Sequence, residues 1–316
     1  MAQTDTGRAS ALPLGSTDWQ TVLDNAAYVP VPYLPSFVRY QQAYFRGKGD
    51  DVRDGSQVFY QDNRPVAVWP MCQRDGCTTT NGSDLLPPLF VADLPEKVQK
   101  RIVADCLRQV DLGRGAFAEE IAMFGLSLWH RRVLEAGGKA YPHSVELFVD
   151  LSLPAEAVWA QMRKSYRSLV RQAQKRYDTI LGVNVRPLQR LHLLDAGGVT
   201  RSEETWDLQQ AAIEAGEAFC VYVLDGEETV AGALFHRSRD EALYAVAAEN
   251  PDRHGEPFGH LVQVFAIDHL RRLGVRWYHL GTRCYEGVSD KEMQIAHFKE
   301  GFATHTFPRV TALLMR

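Results

Sequence analysis

AFCVYVLDGEETVAGALFHRSRDEALYAVA, residues 218–247, is the stretch that decides the fold. Ala218–Leu224 is apolar throughout, Asp225-Gly226 is a turn pair, and Thr229–Arg237 is a second apolar run. A further turn near Arg239-Asp240 leads into Ala242–Ala247. β-Branched and aromatic runs bounded by turn residues predict three antiparallel strands joined as a meander.

Working outward, the downstream pattern predicts a helix from about Gly259 to Leu273, a strand Trp277–Leu280, a helix Asp290–Lys299 and a last strand Arg309–Met315. Upstream, Val145–Val149 alternates like a half-buried strand. Pro154 then begins a helix that puts Trp159, Met162, Tyr166, Leu169, Ala173 and Tyr177 on one face. A short strand Ile180–Val185 follows, then a helix capped by Ser202, with Glu203 and Glu204 near its positive end. Without the short strand the order is strand, two helices, three strands, helix, strand, helix, strand. Late alternation of this kind lays helices on a sheet beside parallel strands.

The first half carries a sparser version. Tyr28–Pro35 is too proline-rich for a helix, and Ser36 is read as the cap of one through Phe37, Tyr40, Ala43 and Tyr44. Val58–Tyr60 and Val66–Pro70 form a hairpin about Asp62-Asn63. After the loop Asn81–Pro88, Glu96–Leu112 has amphipathic spacing and Gly113 stops it. The expectation is an α/β (α+β) chain of two related halves, 1–144 and 145–316, with mixed sheets flanked by helices.

Bulk properties exclude several classes. The 35 basic and 39 acidic side chains leave a net charge of −4, without the basic excess of a protein that grips nucleic acid through phosphates. The five cysteines (Cys72, Cys77, Cys106, Cys220, Cys284) are odd in number and lack C-x-x-C spacing, which suits a reducing compartment. Met1–Gly15 has no basic start followed by an apolar run, and no apolar run approaches the ~20 residues that cross a bilayer. A cytoplasmic protein with no membrane span is expected. The ten histidines show neither H-E-x-x-H nor zinc spacing with cysteine, so no metal is expected.

Three stretches carry candidate chemistry. In MRKSYRSLVRQAQKR (162–176), Arg163, Arg167, Arg171 and Lys175 recur every four residues, one ridge of a helix. Arginine forks match phosphate oxygens, although charge runs are commonly solvated helix faces. In DRHGEPFGH (252–260), Gly255 and Gly259 precede a helix whose first N–H groups attract anions, with Arg253 and His260 beside them. An ordinary loop-to-helix turn explains this equally. In GTRCYEGVSDKEMQIAHFKEGF (281–302), Tyr285, Glu286, Glu292, His297 and Lys299 follow a central strand, where α/β sheets present ligands. His297 has the pKa range of a proton acceptor and Lys299 could face an oxyanion or a phosphate. On the residues alone, a capped helix whose His and Lys face water is the plainer reading. Cys284 reads as a half-buried structural thiol rather than a nucleophile. Gly113–Ala118 follows a helix rather than a strand, and Gly125–Trp129 lacks the second glycine of a nucleophile elbow.

MRKSYRSLVRQAQKR, VTRSEETWDLQQAAIEAGEAF and AHFKEGFATHT resemble the signature stretches of FemAB-like proteins of the GNAT acyltransferase superfamily. Within it, the closest resemblance is to members that N-acylate nucleotide-linked amino sugars with groups such as 3-hydroxybutanoyl for surface glycan or flagellin. The resemblance covers about residues 145–310 well and the first half loosely. It implies tandem GNAT-like domains and acyl-CoA as co-substrate, with no metal. The CoA pyrophosphate would lie at Arg253, Gly255, Gly259 and His260, and Arg163, Arg167 and Arg171 would hold the phosphates of the sugar nucleotide or, alternatively, of CoA. Lys299 occupies the place of the family's reaction-centre lysine, with His297 or Tyr285 relaying the proton. The family often has F-G-G after that lysine, where this chain has Phe302-Ala303-Thr304. Two other readings stand beside it: an aminoacyl-tRNA-dependent transferase extending a peptidoglycan precursor, and a non-catalytic binding domain.

Overall fold

The computed structural model describes residues 9–10, 14–80, 85–110 and 116–314. Gly113, Met315, part of the loop at Asn81–Pro88 and most of the leading fifteen residues lie outside them. Two compact units divide the chain: one takes the residues up to 143 together with those from 308 onward, the other residues 144–307.

The first unit contains β1 (Ala9–Ser10), α1 (Thr17–Asn25), α2 (Pro35–Arg46), β2 (Val52–Asp54), β3 (Gln57–Gln61) and β4 (Arg64–Trp69). It continues with β5 (Cys72–Arg74), β6 (Cys77–Thr79), β7 (Leu89–Phe90), α3 (Glu96–Arg108), β8 (Ala116–Ile121) and α4 (Leu128–Glu135). One sheet runs β1-β3-β4-β7, a second β2-β5-β6, and β8 pairs antiparallel with Arg309–Leu314. The β3–β4 hairpin turns where expected. Asp62 and Asn63 both have positive φ (50° and 59°), the conformation whose twist matches the flanking strands. One expectation fails: Ser36 is not the cap of α2. Pro35 takes the first helical position and Leu34 the cap, because proline's fixed φ suits that position and its missing N–H is unneeded there.

The second unit opens in β9 (Lys139–Asp150) and runs through α5 (Ala155–Gln161), α6 (Lys164–Ala173), β10 (Asp178–Gly182), α7 (Arg186–Asp195) and α8 (Glu203–Glu214). Then come β11 (Ala218–Asp225), β12 (Glu228–Arg237), β13 (Glu241–Glu249), α9 (Phe258–Arg272), β14 (Trp277–Cys284), α10 (Asp290–Glu300) and β15 (His305–Leu314), whose end belongs to the first unit. Its strands order β10-β11-β12-β13-β14-β9. Neighbours are antiparallel except β13 and β14, which α9 connects in parallel. The meander's unbroken apolar runs have a physical cause: both faces of the sheet are covered. Phe219, Val221 and Val223 pack with α6 and α9 residues such as Val170 and Leu261. Cys220 and Tyr222, one step out of phase, pack with Leu188 of α7 and Trp206 of α8.

Two corrections concern helices. The single helix expected after Pro154 is two, because Met162 and Arg163 are extended (ψ 141° and 132°) and the Arg163 N–H bonds the Gly301 carbonyl at 2.9 Å. Helix α7 was not read from the sequence; Pro187 starts it, and Arg186 ties it to Glu203 and Asp207 of α8. The capping-box ends of α10 are complete: the Ser289 hydroxyl accepts from the Glu292 N–H and Glu292 accepts from the Ser289 N–H. Among the described residues, no helix is long and apolar enough to cross a membrane.

Candidate active site

Strands β13 and β14 share three rungs, Glu241–Trp277, Ala242–Tyr278 and Leu243–His279, and their pairing ends there although both strands continue. Each carries a bulge just past the last rung. On β13, Phe235 opposes Tyr244 but Leu234 opposes Val246, so Ala245 is extra. On β14, Phe148 opposes His279 but Leu147 opposes Gly281, so Leu280 is extra. A bulge bends its strand and breaks the ladder locally, so two facing bulges part the pair. Along β13 past its bulge, a cleft of about 750 Å³ is lined by Tyr244 and Ala247–Glu249, by the loop before α9, and by Lys291, Ile295 and Phe298 of α10.

Lys299 approaches the cleft from behind one of its walls. Its Nζ lies 5.6 Å from the centre of the Tyr244 ring, a cleft residue. The approach is open because position 281 is glycine: a Cβ there would sit 2.6 Å from that Nζ, and Gly281 has φ +114°. Burial pulls the Lys299 ammonium below its ordinary pKa, and the charge of Glu146 opposes the fall. Glu146 is itself buried, at 1% exposure. It is bonded to His279 Nε2 at 2.6 Å and accepts the Thr282 hydroxyl at 2.7 Å. His279 stacks flat on Phe148 at 4.4 Å. Sequence reading missed Glu146, His279, Thr282 and Tyr244.

Around the α5–α6 break, Arg163 donates to the Tyr166 hydroxyl at 2.7 Å and to the His297 carbonyl at 3.1 Å. It thereby joins the start of α6 to the end of α10. His297 is exposed and its Nδ1 lies 3.4 Å from the Arg163 guanidinium. His260 sits edge-on to Tyr166 (4.3 Å) and Phe298 (5.1 Å). Burial, reinforced by Arg163, pushes its pKa down to about 4, so the ring is neutral near pH 7.

The remaining sequence candidates are scattered. The regular basic ridge does not exist: Arg163 precedes α6 and Lys175 follows it. Arg167 donates to the Ala160 carbonyl at 3.2 Å, and Arg171 covers Trp159. Arg253 is held by Asp225 at 3.0 Å and the Tyr177 hydroxyl at 3.1 Å. Gly255 and Gly259 do line the cleft, and Gly255 is open on its Cβ side. Tyr285 lies beyond the end of β14, 61% exposed, with Arg283 over its ring. Cys284 is half-buried. Among the described residues, no group of histidine, cysteine and acidic side chains is placed to hold a metal ion.

An antiparallel meander, a helical crossover and a parallel neighbour that parts from it define a mixed α/β fold of the GNAT and FemAB-like class, here in tandem. No protein-family model and no curated protein matches the chain. Solved structures do. FemX superposes with a TM-score of 0.74 at 10% identity, over 96% of each chain. The L-PGS structure from Bacillus licheniformis gives 0.62 at 12% identity, over 95% of this chain and 92% of that one. A tandem GNAT protein from the clavulanic acid biosynthesis pathway gives 0.51 at 11%, over 97% and 98%. At such identities the likeness is one of fold.

Proposed function

We propose that the chain is an acyltransferase whose second unit passes an acyl group from an activated donor to an amine. The observation that carries this reading is the cleft along β13 beyond its last rung with β14, with a half-dry lysine behind the wall residue Tyr244. Apolar lining from Leu169, Ala231, Ala247, Ala248 and Ile295 suits a flexible acyl-bearing arm. Lys299 provides the charge that a developing oxyanion needs, a contribution of roughly 10²–10³ in rate for a single donor. The acceptor nitrogen attacks the donor carbonyl, the C–N bond forms, the bond to the donor breaks, and the amine proton passes to solvent by way of His297 or Tyr285. Both side chains are exposed, as a relay to water requires.

For donor and acceptor, the reading is acyl-CoA and the amine of a nucleotide-linked amino sugar, made for surface glycan or flagellin glycosylation. Arg163, Arg167 and Arg171 are the candidate phosphate contacts. The cleft fits the donor's arm better than its diphosphate. Asp195, Glu249 and Glu256 line it against Lys291, and His254 is committed to Glu249 at 2.8 Å. Carboxylates repel a diphosphate, so no step is assigned to phosphate binding in this loop. The same lining favours a second reading, an aminoacyl-tRNA-dependent transferase, whose donor brings an ammonium rather than a diphosphate to the acyl end.

Free thiol is measured while the purified chain is incubated with acyl-CoA and a panel of amino-sugar nucleotides. Thiol release that depends on the sugar supports the first reading. Product formed only from charged tRNA replaces it with the second. Binding of CoA esters and tRNA by calorimetry without turnover of either would leave a non-catalytic binding domain.

A further inference from the structure

Lys299 is half-buried, and among the described residues its ammonium has no hydrogen bond and no ion pair. Withdrawing a charge from water is costly unless something attracts it. What the ammonium meets is the face of an aromatic ring. Its Nζ lies over Tyr244, 5.6 Å from the ring centre, inside the roughly 6 Å range of a cation–π contact. The phase of the strands supports the same seat. Tyr244 opposes Phe235, and Gly281 opposes Leu147. Phe235 and Leu147 both belong to the core on the α9 side of the sheet, and Tyr244 packs against that core. Residues directly opposite each other share a face, so the Tyr244 ring and the vacant Cβ side of Gly281 look the same way. The Lys299 Nζ lies against both. Glu146 and Thr282 are one step out of phase and face the other side. The ring itself is fixed: Phe235 packs on it at 5.5 Å and stacks in turn on Phe219 at 5.0 Å.

From this geometry we infer that Tyr244 is a positioning residue: its ring face seats the Lys299 ammonium at the cleft wall while the lysine acts on the donor carbonyl. The inference rests on the acyltransferase reading above and deepens it. Tyr244 suits the part because it lines the cleft and meets the lysine at once. The other charged and titratable groups nearby are engaged, neutral or remote. Arg283 of β14 is paired with Glu300 of α10. Arg163 is engaged with Tyr166 and the His297 carbonyl. His260 of α9 is neutral near pH 7, and His297 of α10 is exposed. Glu146 of β9 attracts the amine only from a distance.

The test reads the lysine directly. Purified full-length protein is labelled with trace acetic anhydride from pH 6 to 11, and peptide mass spectrometry gives the Lys299 titration midpoint. Burial pushes the Tyr244 hydroxyl up to about 12, so it stays neutral across that range. Tyr244→Phe keeps the ring face and is expected to leave the midpoint unchanged. Tyr244→Leu, with folding verified by circular dichroism, removes the face. It is expected to lower the midpoint by about 0.4–1.5 pH units, the worth of a cation–π contact on that scale. Mere space-filling predicts the opposite sign, because a smaller side chain admits water and hydration favours the charged amine. Should Tyr244→Leu fail to fold, Tyr244→Met, which fills more of the space without a ring, carries the same expectation. A midpoint lowered without the ring and unchanged in Tyr244→Phe supports the inference. An unchanged or raised midpoint in the folded ringless variant overturns it, and so does an equal fall in Tyr244→Phe. Labelling proceeds whether or not any substrate is turned over. A failed seat therefore leaves the acyltransferase reading standing, and absent turnover with an intact midpoint shift sinks only that reading.

Discussion

Gly301→Ala tests whether the junction of α6 and α10 is as tightly built as it looks. Two effects oppose each other. Gly301 has helical φ (−64°), so alanine strains nothing in the backbone. By restricting the unfolded chain it should stabilise the protein by about 0.4–1 kcal/mol. Against this, the new Cβ would lie 2.0 Å from Cε2 of Tyr166 and 2.7 Å from Cδ2. The ring would have to withdraw by more than an ångström. It has nowhere to go, since His260 and Phe302 press on it at 4.3 and 5.0 Å and Arg163 holds its hydroxyl. Overpacking of this kind costs about 1–3 kcal/mol, so it wins by roughly 1–2 kcal/mol. At about 2–4 °C per kcal/mol for a unit of this size, one calorimetric transition of the whole chain should fall by about 2–8 °C. In a Tyr166→Leu background the clash is gone, and adding Gly301→Ala should cost nothing or raise the Tm. A rise in the single variant, or an equal fall in both backgrounds, would refute the argument.

Lys299→Met keeps length and apolar fit, and it removes a charge that burial penalises; kcat should drop by roughly 10²–10³ at unchanged or higher Tm, as read by single-turnover assay and calorimetry. Gly281→Ala forces φ +114° on a residue with a Cβ and pushes the lysine amine aside; a loss of about 1–3 kcal/mol in urea unfolding should accompany lost turnover. His260→Phe concerns acid. The His260 pKa lies at about 4, below its unfolded value of 6.5, so its contribution is present above pH 6.5 and lost as pH falls through 4. Wild-type Tm should therefore fall from pH 7 to 4 more steeply than that of His260→Phe, and equal slopes would count against a buried neutral ring.

The meander, α9, α10 and the β3–β4 hairpin were legible because local pattern and tertiary burial agree there. Asp62-Asn63 can take positive φ, and Ser289 with Glu292 closes the start of α10. The α5–α6 break was not legible. Nothing in MRKSYRS marks it, because its partner is the Gly301 carbonyl from the far end of the unit. Four-residue spacing therefore suggested a ridge that the backbone does not form. Lys299 was singled out through its sequence context and lies beside the cleft residue Tyr244, whereas Arg253, with the same charge and a glycine-rich neighbourhood, is engaged by Asp225 and Tyr177.

Glu146 was hidden for a more general reason. Between Val145 and Leu147 it reads as the water-facing position of an alternating strand, and alternation carries no information about what covers the polar face. His279 and Thr282 were hidden by the same rule, since a period of two assigns them to opposite sides. Only an inserted residue brings them together, and an insertion leaves no mark in composition or spacing. Yet the insertion at Leu280 is also what ends the β13–β14 ladder beside His279 and what requires glycine at 281. Parting the strands thus takes two departures from regularity, at Ala245 and Leu280, and the second also gathers the ionisable groups. A pattern-based reading is weakest at such departures, because the site exists where the pattern is broken.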